Sequence, residues 1–175
     1  LTDYRDLTGQ YDKLVSVEMV EAVGAAQLGT YFAQCARLLK PEGAMLLQAI
    51  TIADQRYEAA LKSVDFIQKH IFPGGFLPSL TALTGTMTRA SDLRTLHLEE
   101  IGPHYAETLL HWRTNFLNRI DDVRALGYPE RFIRMWLFYL GYCEAGFRER
   151  DIGTVQMLLA KPGWRGESLL GQLQG

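Results

Sequence analysis

Cysteine is nearly missing from this sequence: Cys35 and Cys143 are its only two among 175 residues, far apart and in helix-like surroundings. That argues against a disulfide framework or a zinc knuckle and makes a reducing, cytoplasmic setting the default. Long hydrophobic runs are also lacking. The most apolar stretch, Met135 to Cys143, is far too short to span a bilayer, and the chain opens without a signal-peptide pattern. No sign of charge dominates, with 18 Lys and Arg against 20 Asp and Glu and a net charge of −2. A global basic field for nucleic acid is thereby excluded, although a local basic patch is not. There are no repeats, no low-complexity segments and no linker. The chain begins at Leu1 within what reads as a structural element, as expected of a piece excised from a longer polypeptide.

What is present is a balanced α/β pattern. The apolar fraction is 47%, enough for a real core, and residues 1–175 read as one domain or a large piece of one. Lys13 to Val17 and Ala44 to Ile52 are apolar runs of the kind buried in parallel sheets. A helix is expected over Ala26 to Leu39, stopped by Lys40-Pro41-Glu42-Gly43. A second is expected from Asp54 to His70, on the spacing of Tyr57, Leu61, Val64 and Ile67. Ser79 caps a short helix reaching about Met87. Arg94 to Ile101 reads as a third strand. Two amphipathic helices follow, one carrying Tyr105, Leu109, Trp112, Phe116 and Ile120, the other Phe132, Met135, Tyr139, Cys143 and Phe147. Val155 to Ala160 is the last strand, and the tail after Pro162 is expected to fray. The first two strands should be parallel and the last antiparallel within one sheet.

Two polar residues stand out in apolar runs. Glu21 lies just past a strand end among Met19, Val20, Ala22 and Val23, where a carboxylate must be partnered or carry a raised pKa. Gln48 interrupts the second strand, and Ile50 shares its face. Taken alone, Glu21 is an ordinary helix-start acid favoured by the dipole. The aromatic stripes alone read as core, and His104 and His111 as surface residues rather than metal ligands.

Three segments carry a resemblance. They are Asp3-Tyr4-Arg5-Asp6 followed by Tyr11-Asp12-Lys13-Leu14-Val15-Ser16-Val17-Glu18-Met19-Val20-Glu21-Ala22-Val23-Gly24, Leu38-Leu39-Lys40-Pro41-Glu42-Gly43 leading into Leu46 to Ile52, and Ile71-Phe72-Pro73-Gly74-Gly75-Phe76-Leu77-Pro78-Ser79. Gly102-Pro103-His104-Tyr105 and Gly146-Phe147-Arg148-Glu149-Arg150-Asp151 continue it. In all of these the chain resembles the C-terminal part of cyclopropane-fatty-acid synthases. The resemblance implies a class I, Rossmann-like S-adenosylmethionine (SAM)-dependent methyltransferase fold. This chain would supply the fourth to seventh strands and extra helices. No acidic-x-Gly-x-Gly motif occurs, so the glycine-rich SAM loop would lie upstream, and these residues alone are expected to bind SAM weakly and to be inactive.

The implied activity is transfer of a methylene group from SAM to a cis double bond of an unsaturated acyl phospholipid, giving a cyclopropane fatty acid. A related lipid or small-molecule methyltransferase and a non-catalytic lipid-binding module are the alternatives. Asp3, Tyr4, Val17 and Glu18 match cofactor-side positions. Glu21, Gln48, Ile50 and Tyr105 match ligands of a bicarbonate that serves as general base, with Glu21 and Tyr105 as catalytic residues. Gln48 departs from the histidine of well-known bacterial members. Phe72, Phe76, Leu77, Trp112, Phe116 and Trp136 are candidate walls of an acyl pocket. No metal is implied. The protein is expected at the inner face of the membrane, on unsaturated phospholipid. Unpaired strand edges and an exposed sheet face point to a homodimer.

Overall fold

The computed structural model describes residues 1–166. The chain forms a four-stranded mixed sheet: β1 (Tyr11–Val17), β2 (Leu39–Ile52), β3 (Arg94–Glu100) and β4 (Ile152–Ala160). Spatial order is β1-β2-β4-β3. β1 pairs with β2 in parallel, and β4 runs antiparallel to both β2 and β3. The parallel pair needs a crossover, supplied by α1 (Leu28–Leu38), and the antiparallel strands follow the helical excursions.

Side chains alternate across β2. Met45, Leu47 and Ala49 point to one face and are fully buried or nearly so. There they meet α1 and α4 (Leu80–Ala90) through Tyr31, Phe32, Leu83 and Met87, with Met157 and Leu159 of β4 completing the core. Burying each leucine is worth about 1.5–3 kcal/mol. Ser79 caps α4 by accepting from the Ala82 N–H, as its position anticipates.

A second, smaller core lies between α5 (Gly102–Asn118) and α7 (Glu130–Arg148), built on Ala106, Leu109, Leu140 and Phe147. A short α6 (Ile120–Ala125) joins them. Arg113 of α5 and Arg148 of α7 both bind the buried Glu144, and Arg148 also reaches Glu107. Burial alone would raise the Glu144 carboxyl, but the two guanidiniums outweigh it and hold it below its usual range. These bonds fix α7 against α5.

One expectation is corrected. Asp54 to His70 is not one helix but two, α2 (Asp54–Ala60) and α3 (Phe66–His70). Asp65 and Gln68 form a reciprocal capping box that starts a new helix, and Val64, counted in the apolar spacing, is exposed. Helix α1 also begins later than expected, after a 3-10 turn over Ala25–Gln27. Part of the tail expected to fray, residues 167–175, lies outside the described residues.

Candidate active site

Open α/β sheets place ligands beyond the carboxyl ends of their parallel strands. At that end of β1, Val17 pairs with Gln48, the chain turns through Glu18 and Met19, and a 3-10 turn carries Glu21. Glu18 has φ +50°, the left-handed region, which costs a non-glycine residue about 1–2 kcal/mol. Its N–H donates to the Gln48 carbonyl, 2.9 Å away, and pins the turn to the sheet.

The side chains form a polar knot. Gln48 Nε2 donates to Glu18 Oε1 at 2.8 Å, and the Tyr105 hydroxyl donates to Glu18 Oε2 at 2.7 Å. Gln156 Nε2 in turn donates to Gln48 Oε1 at 2.8 Å across the β2–β4 pair. Desolvation and then the Glu18 hydrogen bond raise the Tyr105 phenol far above its usual value, so it stays a donor. Its placement comes from α5. Glu100 accepts from the N–H of Gly102 at the helix start and, more weakly, from that of Thr154. A side chain at Gly102 would run into that carboxylate.

Glu21 takes a different partner. Its Oε1 accepts from the Ile50 backbone N–H at 2.5 Å, while its Oε2 is buried without a hydrogen-bond partner. Burial is the main reason its carboxyl is raised, and the Glu18 charge nearby adds to it. The turn is held from behind by the Phe72–Ser79 loop. Phe76 N–H donates to the Glu21 carbonyl at 3.0 Å, and Pro78 carbonyl accepts from Ile52 at 3.0 Å. Gly74 in this loop has φ +83°, which suits glycine.

Of the bicarbonate set, then, Gln48 and Tyr105 meet on Glu18, and Ile50 and Glu21 meet on each other. Among the cofactor-side residues, Asp3 is engaged by Arg5 through its backbone N–H and guanidinium, which pull its carboxyl down to about 2. Tyr4 packs edge-on against Tyr31, and the exposed side chain of Val17 lies at the open end of β1. The acyl-pocket candidates divide. Trp112, Phe116 and Trp136 line a cavity of about 490 Å³ between α5 and α7, with Asn115, Tyr139 and Leu140. Phe76 instead belongs to the main core, Leu77 is half-buried, and Phe72 is exposed with its ring edge toward Tyr139. Knot and cavity adjoin: Tyr105 packs edge-on against Trp112, which lines the cavity, and Tyr139, pushed up to about 12 chiefly by burial, also feels the Glu18 charge.

Gln156 and Tyr139 escaped the sequence reading as site residues. Gln156 offers the same signal as Gln48, an amide in an apolar strand, and Tyr139 lies on the apolar stripe of α7. Among the described residues, no three His, Cys, Asp or Glu side chains gather as for a metal.

Known proteins resemble this chain in sequence and fold. The mycolic acid cyclopropane synthetase family matches residues 1–157. The tuberculostearic acid methyltransferase UfaA1 of Mycobacterium tuberculosis is 45% identical over 93% of this chain and 38% of its own length. The cyclopropane-fatty-acyl-phospholipid synthase of Escherichia coli K12 is 39% identical over 92% of this chain and 40% of its own. Among solved structures, the Mycobacterium tuberculosis cyclopropane synthase MmaA2 superposes with a TM-score of 0.81 at 25% identity, covering 90% of this chain and 58% of that one. The mycolic acid cyclopropane synthase CmaA1, complexed with SAH and CTAB, gives 0.80 at 28% identity with the same coverage. The chain thus spans about two fifths of the length of these curated relatives. Its α/β fold is that of the SAM-dependent methyltransferases, and it belongs to the mycolic acid cyclopropane synthetase family.

Proposed function

We propose that this chain forms the acyl-binding, base-bearing side of an enzyme that transfers a one-carbon unit from SAM to a cis double bond of an unsaturated acyl phospholipid, giving a cyclopropane fatty acid. The observation that carries this reading is the polar knot of Glu18, Gln48 and Tyr105 adjoining the aromatic α5–α7 cavity through the packing of Tyr105 on Trp112.

The chemistry needs both parts. An apolar, aromatic-lined groove accepts an acyl chain, and the faces of Trp112, Phe116, Trp136 and Tyr139 favour positive charge developing on it. SAM, when bound, supplies an electrophilic methyl group. This chain offers one side of a place for it, around Tyr4, Val17 and Glu18 at the carboxyl end of β1. A proton must then be lost in a dry site, which calls for a positioned base. Bicarbonate fits the residues poorly. Of the donors the resemblance gives it, the Tyr105 hydroxyl, the Ile50 N–H and one N–H of Gln48 Nε2 are already engaged by Glu18 and Glu21, and another anion beside the Glu18 carboxylate meets repulsion. No step is derived through it.

A second reading is a methyl-branched product instead of a ring. The 45% identity to a tuberculostearic acid methyltransferase favours it. Vesicles of cis-unsaturated phospholipid, methyl-labelled SAM and product NMR separate the two. A labelled ring methylene supports the first, a labelled branch the second, and no label in lipid contradicts both.

The lipid is reached from a membrane surface in this proposal. Among the described residues no helix is long and apolar enough to cross one. Exposed Phe72, Phe138 and Tyr142, with Arg131 and Arg134 on the outside of α7, suit a headgroup boundary. We also propose that residues 1–175 by themselves associate as a homodimer, through the edge of β1 and its exposed Val15 and Val17, an edge that upstream strands would cover in the longer protein.

A further inference from the structure

We propose that Glu18 is the general base of this site: its carboxylate stands where the family resemblance would put a bound bicarbonate, and it takes the proton released after one-carbon transfer. The inference rests on the methyltransferase reading above and replaces its external base with a residue of the chain.

Three observations carry it. The two side chains expected to hold an external anion both turn to Glu18: Gln48 Nε2 spends one of its two N–H groups, and Tyr105 its only hydroxyl proton, on different oxygens of that carboxylate. A carboxylate offers about four acceptor sites over its two oxygens, so each oxygen keeps one to receive a proton. Next, Glu18 occupies a left-handed backbone position where glycine would be unstrained. A side chain kept at such a position points to use of that side chain. Finally, among the described residues no Lys, Arg or His forms an ion pair with Glu18, whose side-chain partners are an amide and a phenol. An unneutralised carboxylate in such a setting suits proton abstraction. Glu21 complements it. Burial favours its neutral form, and it is bonded to the Ile50 backbone N–H and not to the Gln48 and Tyr105 donors.

The step balances without a further reactant. The alkene π pair forms a bond to the methyl carbon of SAM, while the carbon–sulfur pair leaves on sulfur. The neighbouring alkene carbon is left cationic. A C–H pair of the new methyl group closes onto that carbon, and its proton passes to Glu18, leaving a neutral acid, a cyclopropane and S-adenosylhomocysteine. Solvent then removes the proton. Loss of a methyl proton after a hydride shift gives a methylene branch instead, which a separate hydride donor would have to reduce to a methyl branch, so Glu18 serves the proton-loss step of either route.

The test uses the full-length protein as naturally encoded, with labelled SAM and unsaturated vesicles, in buffer stripped of carbon dioxide and again with added bicarbonate. Wild-type turnover is expected to be the same in both. Glu18→Gln keeps the shape but cannot accept the proton, and should lose about 10²-fold or more with or without bicarbonate. Glu18→Gly relieves the backbone and frees both donors. It should melt no lower than wild type, be inactive in stripped buffer, and regain turnover as bicarbonate is added. A wild type that requires bicarbonate, or Glu18→Gln at wild-type turnover, overturns the proposal. A wild type that moves no label into lipid overturns instead the functional reading beneath it.

Discussion

The two faces of the same strands serve different ends. On one face of β2, Met45, Leu47 and Ala49 pack into a dry core with α1 and α4. On the other, one residue along, Leu46 is 36% exposed beside Val15, which is 65% exposed, and the next row holds Val17, Gln48 and Gln156. The first face is closed and apolar and stabilises the fold. The second is open, carries hydrogen-bonded amides, and meets the α5–α7 cavity at one end. The pleat lets one strand do both, because a change on one face leaves the other in place.

The largest effect should come from the closed face. Leu47→Ala is expected to cost about 2–5 kcal/mol in urea unfolding, whereas Leu46→Ala, its neighbour on the open face, should cost below about 1 kcal/mol. Equal costs would break the contrast.

Within the polar row, Gln48→Leu leaves Glu18 Oε1 and the Gln156 amide without partners and should destabilise by about 1–3 kcal/mol. Gln48→His keeps a donor toward Glu18 and should cost less than Gln48→Leu in the same unfolding assay.

Glu21 gives a pH signature. Burial raises its carboxyl in the folded state above the unfolded value of about 4.5. Its contribution to stability is therefore full below that value and falls as pH rises through the folded pKa. Glu21→Gln should flatten the pH dependence of stability in that window, and an unchanged curve would show that the side chain is better solvated than its burial indicates.

The smallest effect on stability, and the sharpest on association, is expected at the edge strand. Val15→Lys should leave the melting temperature nearly unchanged and shift light scattering toward monomer. A wild type that is already monomeric would remove the dimer from the account.

Much of the fold was legible because its signals are local. Apolar runs bounded by Pro41 and Gly43, the Ser79 cap and the aromatic periodicity of α5 and α7 each act within a few residues. The break between α2 and α3 was missed because the spacing through Val64 mimics a helix, although the Asp65 and Gln68 capping box was there to be seen. In the site, the oddity of Glu21 and Gln48 in apolar runs was visible in the sequence. The partnering was not. That Tyr105, 87 residues beyond Glu18, binds its carboxylate, and that Gln156 completes the row from 108 residues beyond Gln48, depends on strand register and on the start of α5. Nor does spacing show that Phe76 joins the main core while Trp112 and Trp136 line the cavity.

Tyr105 joins the polar knot to the aromatic cavity, so it tests the whole account most directly. Tyr105→Phe removes one hydroxyl and retains the ring that stacks on Phe147 at 4.7 Å. Transfer of labelled methyl groups from SAM to unsaturated phospholipid by the full-length protein, with folding verified, should fall by on the order of 10- to 100-fold, the scale of losing a hydrogen bond to a charged group at the reaction. Wild-type turnover by Tyr105→Phe would contradict the assignment of this knot as the active site.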